Sequence, residues 1–372
     1  EKEMNAYLEY EPGVFRDKTI LLPCDDPEWS NFTKYFAQNF DTFGLKKLIS
    51  TSYAPNSKPK EIPYQPSLFE MEDEKFDGQK TQANGKIFTL TRDVSGDNRI
   101  DVDDLEWSYL EGDGDFRSDE VTKLRDEADI IITNPPFSLF RVFLSWIVEG
   151  NKSFSIIGNM NAITYKETFP LIKDNKMWIG PTINSGDREF EVPASWDTHS
   201  KSLKLEGGKK FLRVDGVRWF TNIEHGRRHQ PLPLMTMEDN IKFSKHKELR
   251  GSEYQKYDNY DAIEVPFTDA IPSDYEGVMG VPISFLNKFS PEQFEILGAT
   301  QRGCHDLVPD TKKYDTYWEV RQDGSKTGSS GNKTNENANL EVNDGKKNYF
   351  TNAAGHVIQS AYQRIFIRHR RQ

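Results

Sequence analysis

At 372 residues, 35% hydrophobic and 12% aromatic, the chain is long enough for two ordinary domains and apolar enough for a sizeable core, which excludes collagen-like, coiled-coil and wholly disordered readings. No apolar run approaches the roughly 18 residues that span a bilayer, no signal-peptide pattern opens the chain, and two cysteines, Cys24 and Cys304, make no disulfide framework, so a cytoplasmic protein is expected. The net charge of −11 is uneven: residues 1–130 carry 29 acidic against 16 basic side chains, residues 201–250 carry 12 basic against 6 acidic, and the last twelve residues hold Arg364, Arg368, Arg370 and Arg371 with no acid. A local basic face, not whole-chain charge, governs polyanion binding, so this layout admits a chemistry domain beside a polyanion-binding region; an ordinary solvated face explains the same counts.

Thr19 to Leu22, closed by Pro23, reads as a buried strand, and Asp25-Asp26-Pro27 supplies turn and cap chemistry. Phe32, Tyr35, Phe36 and Phe40 recur at helical spacing up to Gly44, and Leu45 to Ile49 reads as a second strand. This β-α-β start predicts a parallel sheet and an α/β fold. Residues 53–105, rich in Pro, Lys, Asp and Gly, look like an insertion with weak order. Trp107 to Leu110 is a strand end, Val121 to Glu127 a short helix, and Asp129 to Thr133 the clearest buried strand. Ser138 is expected to cap a helix from Leu139 to Glu149 that Gly150 ends, and Phe154 to Ile157 to form a strand closed by Gly158. Residues 186–265 are basic and strand-like. Ser290-Pro291-Glu292-Gln293 carries helix-start signals, residues 319–346 suggest a mobile loop, and Arg364 to Ile367 suggests a last strand.

Asn134-Pro135-Pro136-Phe137 follows the clearest strand and precedes a helix, the position where α/β folds bind ligands. An exocyclic base amine is a poor nucleophile because its lone pair is delocalised into the ring. The Asn134 side-chain oxygen and the Pro135 carbonyl can accept its two N–H bonds and favour a pyramidal nitrogen, with the prolines keeping the turn rigid. Phe137 offers a face for a flipped base. A Pro-Pro turn with Asn134 satisfying local backbone is the plainer reading. In Gly112-Asp113-Gly114-Asp115-Phe116, Asp115 can accept from a cofactor adenine amine and Phe116 can pack on its ring; a simple turn fits as well. Pro23-Cys24-Asp25-Asp26-Pro27 sits at the first βα turn, without a G-x-G-x-x-G fingerprint or a Walker A loop. Its two carboxylates repel pyrophosphate and suit a cofactor with a cationic end, or they cap the helix.

Together these segments resemble the EcoRI-type family of adenine-specific DNA methyltransferases. The likeness runs in order through Cys24 to Pro27 with Ser30-Asn31-Phe32, Gly112 to Ser118, Thr133 to Phe140, Gly158 to Lys166, Lys176 to Gly180 and Gly277 to Leu286, and returns at 362–368. It implies a Rossmann-like methyltransferase domain using S-adenosylmethionine, with an inserted or appended DNA-recognition region. Asn134, Pro135, Pro136 and Phe137 would then be catalytic, and Pro23, Cys24, Asp25, Asp26, Pro27, Asp115, Phe116 and Asn134 would border the cofactor. The expected domains are a catalytic domain over 1–185, a basic recognition region over 186–265 and a C-terminal region over 266–372. His225 to His229, Lys242 and Arg250 are candidates for DNA contact, with Arg227, Arg228, Lys245 and Lys247 the chosen set, arginine suiting guanine and lysine suiting phosphate. The substrate would be double-stranded DNA and the enzyme a monomer, with any cognate restriction endonuclease acting separately.

Two departures stand out. The family's NDEFYT-like segment ahead of the first strand, whose aromatic residue helps bind cofactor, is not in this sequence, so a stretch that ligand orders is expected ahead of Glu1. Ser50-Thr51-Ser52 offers no acid to the ribose hydroxyls, leaving ribose recognition unassigned. Asp93, Ser95, Asp97, Asn98, Asp101 and Asp104 have EF-hand-like spacing that can bind calcium, but Asn replaces Gly at the sixth position and Asp replaces Glu at the twelfth, and an Asx-rich turn before a helix, without metal, is the plainer reading. The alternatives are an RNA or protein-glutamine N-methyltransferase and a non-catalytic DNA-binding protein.

Overall fold

The structure, a computed structural model, describes residues 1–27, 30–54, 73–183, 188–192, 203–300, 318–330, 337–342, 348–351, 354–361 and 363–370. The chain divides into two compact units, Glu1–Ala162 with Met177–Gly226, and Ile163–Lys176 with Arg227–Gln372. The basic stretch 186–265 is therefore divided between them at Gly226. Among the described residues no helix is long and apolar enough to cross a membrane.

The first unit opens with α1 (Lys2–Tyr10), β1 (Thr19–Leu22), α2 (Asn31–Gln38), α3 (Phe40–Phe43) and β2 (Lys47–Ser52). Ser30 caps α2 by accepting the Phe32 N–H at 3.1 Å. Phe36, wholly buried, meets Phe15 edge-on at 5.7 Å, so the helical spacing of the aromatics becomes one wall of the core. The unit continues with α4 (Gly78–Ala83), β3 (Lys86–Leu90), β4 (Glu106–Tyr109), α5 (Asp119–Glu127), β5 (Ile130–Thr133), α6 (Phe140–Glu149) and β6 (Ser153–Asn159). It closes with β7 (Trp178–Ile179), β8 (Arg188–Val192), β9 (Leu203–Glu206), β10 (Lys209–Val214) and β11 (Val217–Thr221). An eight-stranded mixed sheet runs β4-β3-β2-β1-β5-β6-β11-β7. Its centre, β2-β1-β5-β6, is parallel; β3 and β11 flank it antiparallel, and the edge strands β4 and β7 pair antiparallel with them in turn. The chain leaves β1 toward β2 on one side, while β5 pairs on the other. That reversal opens a crevice at the carboxyl ends of β1 and β5. A separate three-stranded antiparallel sheet, β8-β10-β9, completes the unit.

The terminal helix α1 is held by a buried carboxylate. Glu3 accepts the Tyr7 O–H at 2.8 Å and the Thr182 N–H at 3.0 Å, and the Tyr7 hydroxyl lies 2.9 Å from Ser155 on β6. Burial raises the Glu3 carboxyl, and these donors oppose that rise.

The second unit contains α7 (Phe169–Lys173), α8 (Met237–Phe243) and β12 (Ile263–Glu264), β13 (Met279–Pro282) and β14 (Phe294–Ala299). It ends with β15 (Trp318–Arg321), β16 (Lys326–Ser330), β17 (Asn339–Glu341), β18 (Asn348–Thr351), β19 (Val357–Ser360) and β20 (Arg364–His369). They form a β12-β13-β20-β14 sheet and a β16-β15-β18-β19-β17 sheet. Within the first, Arg364 of β20 pairs with Glu264 of β12 at 2.6 Å, both nearly buried, and the Tyr257 hydroxyl donates to the same carboxylate.

Several expectations change. The second strand starts at Lys47, not Leu45. Within 53–105, residues 55–72 lie outside the described set, but 73–105 are ordered: α4 and β3 form, and β3 pairs antiparallel with both β2 and β4. Ser138 does not cap α6. Phe137–Leu139 form a 3-10 turn, and Leu139 occupies the cap position. Gly158 lies inside β6, because pairing with β11 continues to Asn159. The helix-start signals at Ser290 precede a strand: Phe294 and Ile296 alternate inward, and β14 pairs with β20. In place of the loop over 319–346, the described residues carry β15, β16 and β17. The Asp93–Asp104 segment binds its own backbone. Asp93 accepts from Gly96 and Asn98, and Asp104 from Val94, Ser95 and Asp101, which holds the Asp104 carboxyl down at about 2. No metal-type cluster occurs among the described residues.

Candidate active site

A cavity of about 720 Å³ opens at the carboxyl ends of β1 and β5. Pro23, Cys24 and Asp26 follow β1, Ser52 and Tyr53 end β2, and Gly114 to Arg117 follow β4. Asn134 to Leu139 follow β5, and Leu212 and Val214 come from β10. One cavity therefore joins the Asn134–Phe137 turn to the Gly112–Phe116 loop, inside the first unit. Its size falls in the range of roughly 300–1,000 Å³ typical of ligand sites.

The turn presents acceptors. Pro135 and Pro136 have no N–H, and the Leu139 N–H is satisfied by the Pro136 carbonyl at 2.9 Å. Asn134 is exposed, Pro135 buried, and Phe137 is 38% exposed, enough to leave a ring face open. Beneath the turn lies Asp25, 4% exposed. Its carboxylate accepts the Ser30 hydroxyl at 2.7 Å, the Thr133 hydroxyl and the Asn134 N–H, while its own carbonyl accepts Thr33 at 2.8 Å and also Ser50. Asp25 thus ties together the ends of β1, β2 and β5. Burial pushes its carboxyl up to about 6 against those donors. It is absent from the cavity wall, unlike Asp26. Pro27 is buried and likewise not on the wall. Burial, then the neighbouring Asp25, pushes the Cys24 thiol far up, so it stays protonated at neutral pH.

Asp115 holds Arg117 in a two-pronged pair, with Nε at 2.9 Å and Nη2 at 2.5 Å. Arg117 lowers the Asp115 carboxyl, and an oxygen accepting one bond keeps a second lone pair for a ligand amine. Phe116, 5% exposed, is locked edge-on against Phe143 at 4.9 Å and Trp146 at 5.6 Å. Gly114 adopts φ +83° with its Cα against the Ser52 carbonyl, where a side chain would collide. The residues not anticipated here are Ser52, Tyr53, Arg117, Ser138, Leu139, Leu212 and Val214. The inward alternation of Phe211-Leu212-Arg213-Val214 was the available signal for the last two.

The basic candidates lie elsewhere. Arg227, Arg228, Lys245 and Lys247 belong to the second unit. Arg228 is 4% exposed and donates to Asn175, Lys245 pairs with Asp269 at 2.7 Å, Arg227 is half-buried and Lys247 exposed. His225, in the first unit, is buried against the Ile179 carbonyl. The described C-terminal arginines are engaged within the fold, Arg364 on Glu264, Arg368 on Glu295 and Arg370 on the Pro291 carbonyl, and Arg371 lies outside the described residues.

A crevice at a strand-order reversal, with an acceptor-rich turn on one wall and an acidic, aromatic loop on another, suits an amine-bearing ring. Comparison with known proteins narrows this. The family described as "Adenine-specific methyltransferase EcoRI" matches residues 1–370. The chain is 41% identical over 300 residues to the Type II methyltransferase M.EcoRI of Escherichia coli, covering 80% of this chain and 82% of that protein. It is 32% identical over 309 residues to M.MpnI of Mycoplasma pneumoniae (82% of each) and 33% over 321 residues to M.MgeORF184P of Mycoplasma genitalium (86% of each). No solved structure matches. The chain belongs to the EcoRI-type family of adenine-specific DNA methyltransferases.

Proposed function

We propose that this chain is a sequence-specific DNA adenine N6-methyltransferase of restriction-modification or orphan type, with the cavity holding S-adenosylmethionine and an extruded adenine side by side. The observation that carries the reading is the single cavity shared by the Asn134–Phe137 turn and the Gly114–Phe116 loop. The lining fits the cofactor: Asp26 and Asp115 suit its cationic end and its adenine amine, Phe116 suits its ring, and no phosphate cradle is present. When bound, it supplies a methyl group on a cationic sulfur, which leaves with the bonding pair. Pro23, Cys24 and Asp26 border its amino acid part.

Asn134 Oδ1 and the Pro135 carbonyl accept the two N6 hydrogens, which draws the nitrogen lone pair out of the ring toward the methyl. Phe137 stacks on the target base. The surplus N6 proton passes to water after transfer, so no strong base is needed, and fixed acceptor dipoles carry the rate. The first unit corresponds to a Rossmann-like catalytic domain, centred on residues 1–185. The basic stretch 186–265 serves target recognition, with Arg227, Lys245 and Lys247 toward DNA and Arg228 reaching it only by leaving Asn175. Residues 266–372 form the supporting C-terminal region. The enzyme works as a cytoplasmic monomer on duplex DNA, any cognate endonuclease being a separate protein.

Tritium transfer from labelled cofactor to duplex DNA, RNA and protein tests the reading, with modified adenines mapped by single-molecule sequencing. Label entering DNA at one sequence is expected. N134A should lower transfer at least a thousandfold while cofactor binding by calorimetry stays within about threefold. Transfer at the wild-type rate in that variant, or label entering RNA or protein instead, overturns the assignment.

A further inference from the structure

Leu205 is 71% exposed, the highest among the exposed large hydrophobic side chains described. A lone exposed leucine is ordinary; its placement is not. β9 and β10 are joined by Gly207-Gly208, both at positive φ (+58° and +80°), a two-residue turn that makes a tight, twisted hairpin. In the register Lys210 faces Leu205 and Leu212 faces Leu203. Directly opposed residues point to the same side and alternate residues share a face. Leu203, Leu205, Lys210, Leu212 and Val214 therefore form one stripe. At its inner end Leu212 and Val214 line the cavity beside the Asn134–Phe137 turn. At its outer end Leu205 projects from the tip. Four residue rises of about 3.3 Å separate the level of Val214 from that of Leu205, about 13 Å, which exceeds the roughly 8 Å depth of a duplex groove.

Charge selects the partner. Residues 203–214 carry Lys204, Lys209, Lys210 and Arg213 against Glu206 alone. The pairs Lys204–Glu206 at 2.7 Å, Lys209–Glu191 at 3.0 Å and Arg213–Asp215 at 3.5 Å are all solvent-exposed and exchange readily for phosphate. We propose that the β9–β10 hairpin is a wedge into the duplex: Leu205 fills the stack space that the extruded adenine leaves, and the hairpin lysines meet the flanking phosphates. The proposal rests on the cavity being the seat of an extruded adenine. Extrusion sacrifices stacking and pairing, and an apolar side chain inserted at the step keeps the neighbouring bases from closing.

The test uses the full chain and a duplex carrying its mapped site, with 2-aminopurine replacing the target adenine to report unstacking. L205A should bind that duplex within about threefold of wild type, lose most of the fluorescence rise, and methylate the paired adenine duplex at least tenfold more slowly in single turnover. Placing the target adenine opposite an abasic site should restore L205A to within about threefold, and L205M should behave as wild type on both. Because Leu205 is exposed, melting temperature should be unchanged. An unaltered rate on the paired duplex, or an equal defect on both duplexes, overturns the wedge while leaving the methyltransferase reading intact. Failure of the wild type to methylate any duplex overturns both.

Discussion

Asp25 shows how one residue can serve a site without lining it. Two adjacent carboxylates after β1 read alike in sequence, yet Asp26 reaches the cavity and Asp25 turns inward to Thr133 and the Asn134 N–H. Sequence shows that carboxylates stand there; only the paired ends of β1 and β5 decide which of them holds the turn. Above about pH 6 the Asp25 carboxylate is charged and accepts all three donors. As pH falls through about 6 it gains a proton, one lone pair becomes a donor, and a bond to the turn is lost. The single-turnover methylation rate should therefore rise with an apparent pKa near 6 in the wild type. D25N should be slower by about ten- to a hundredfold and flat across that range, with cofactor affinity nearly unchanged. A wild-type limb that persists in D25N would remove Asp25 from this role.

At the scale of elements, legibility followed the range of the interactions. Ile130–Thr133 and the helical aromatics at Phe32, Tyr35 and Phe36 are set by local pattern and form as expected, although the helix expected to run on to Gly44 breaks at Asn39, so that Phe40 opens α3. The Ser290-Pro291-Glu292-Gln293 signals are equally local, but Phe294–Ala299 is claimed by Arg364–His369, some 70 positions away, and no local pattern encodes that partner. The cavity shows the same division. Its three motif segments were visible as motifs, whereas Tyr53, Leu212 and Val214 arrive through sheet pairing. The Gly112–Phe116 loop gives a direct test of close packing. In G114A a Cβ at φ +83° would strike the Ser52 carbonyl. Urea unfolding should show a loss of more than about 1 kcal/mol, and calorimetry a cofactor affinity at least tenfold weaker; unchanged binding would mean the loop is not part of the site.

At the scale of the whole molecule, the acidic net charge and the basic segments are different kinds of statement. The C-terminal arginines suggest a polyanion surface when counted, but Arg364, at the start of β20, is 11% exposed and paired with Glu264 of β12. Removing one partner of such a buried pair leaves a desolvated charge, so R364L should destabilise the protein by about 3–5 kcal/mol. Its salt dependence of DNA binding should match wild type, because a buried guanidinium releases no phosphate counterions. A flatter salt slope in R364L would return that arginine to the nucleic-acid surface.

The three-stranded sheet β8-β10-β9 shares no strand with the eight-stranded one, yet it supplies Leu212 and Val214 to the cavity. Every parallel pairing that shapes the acceptor turn is thus indifferent to what the hairpin carries. Substitutions along the outer part of the hairpin can therefore be introduced without disturbing the strands that fix the turn, which leaves the two parts of the cavity wall open to separate redesign.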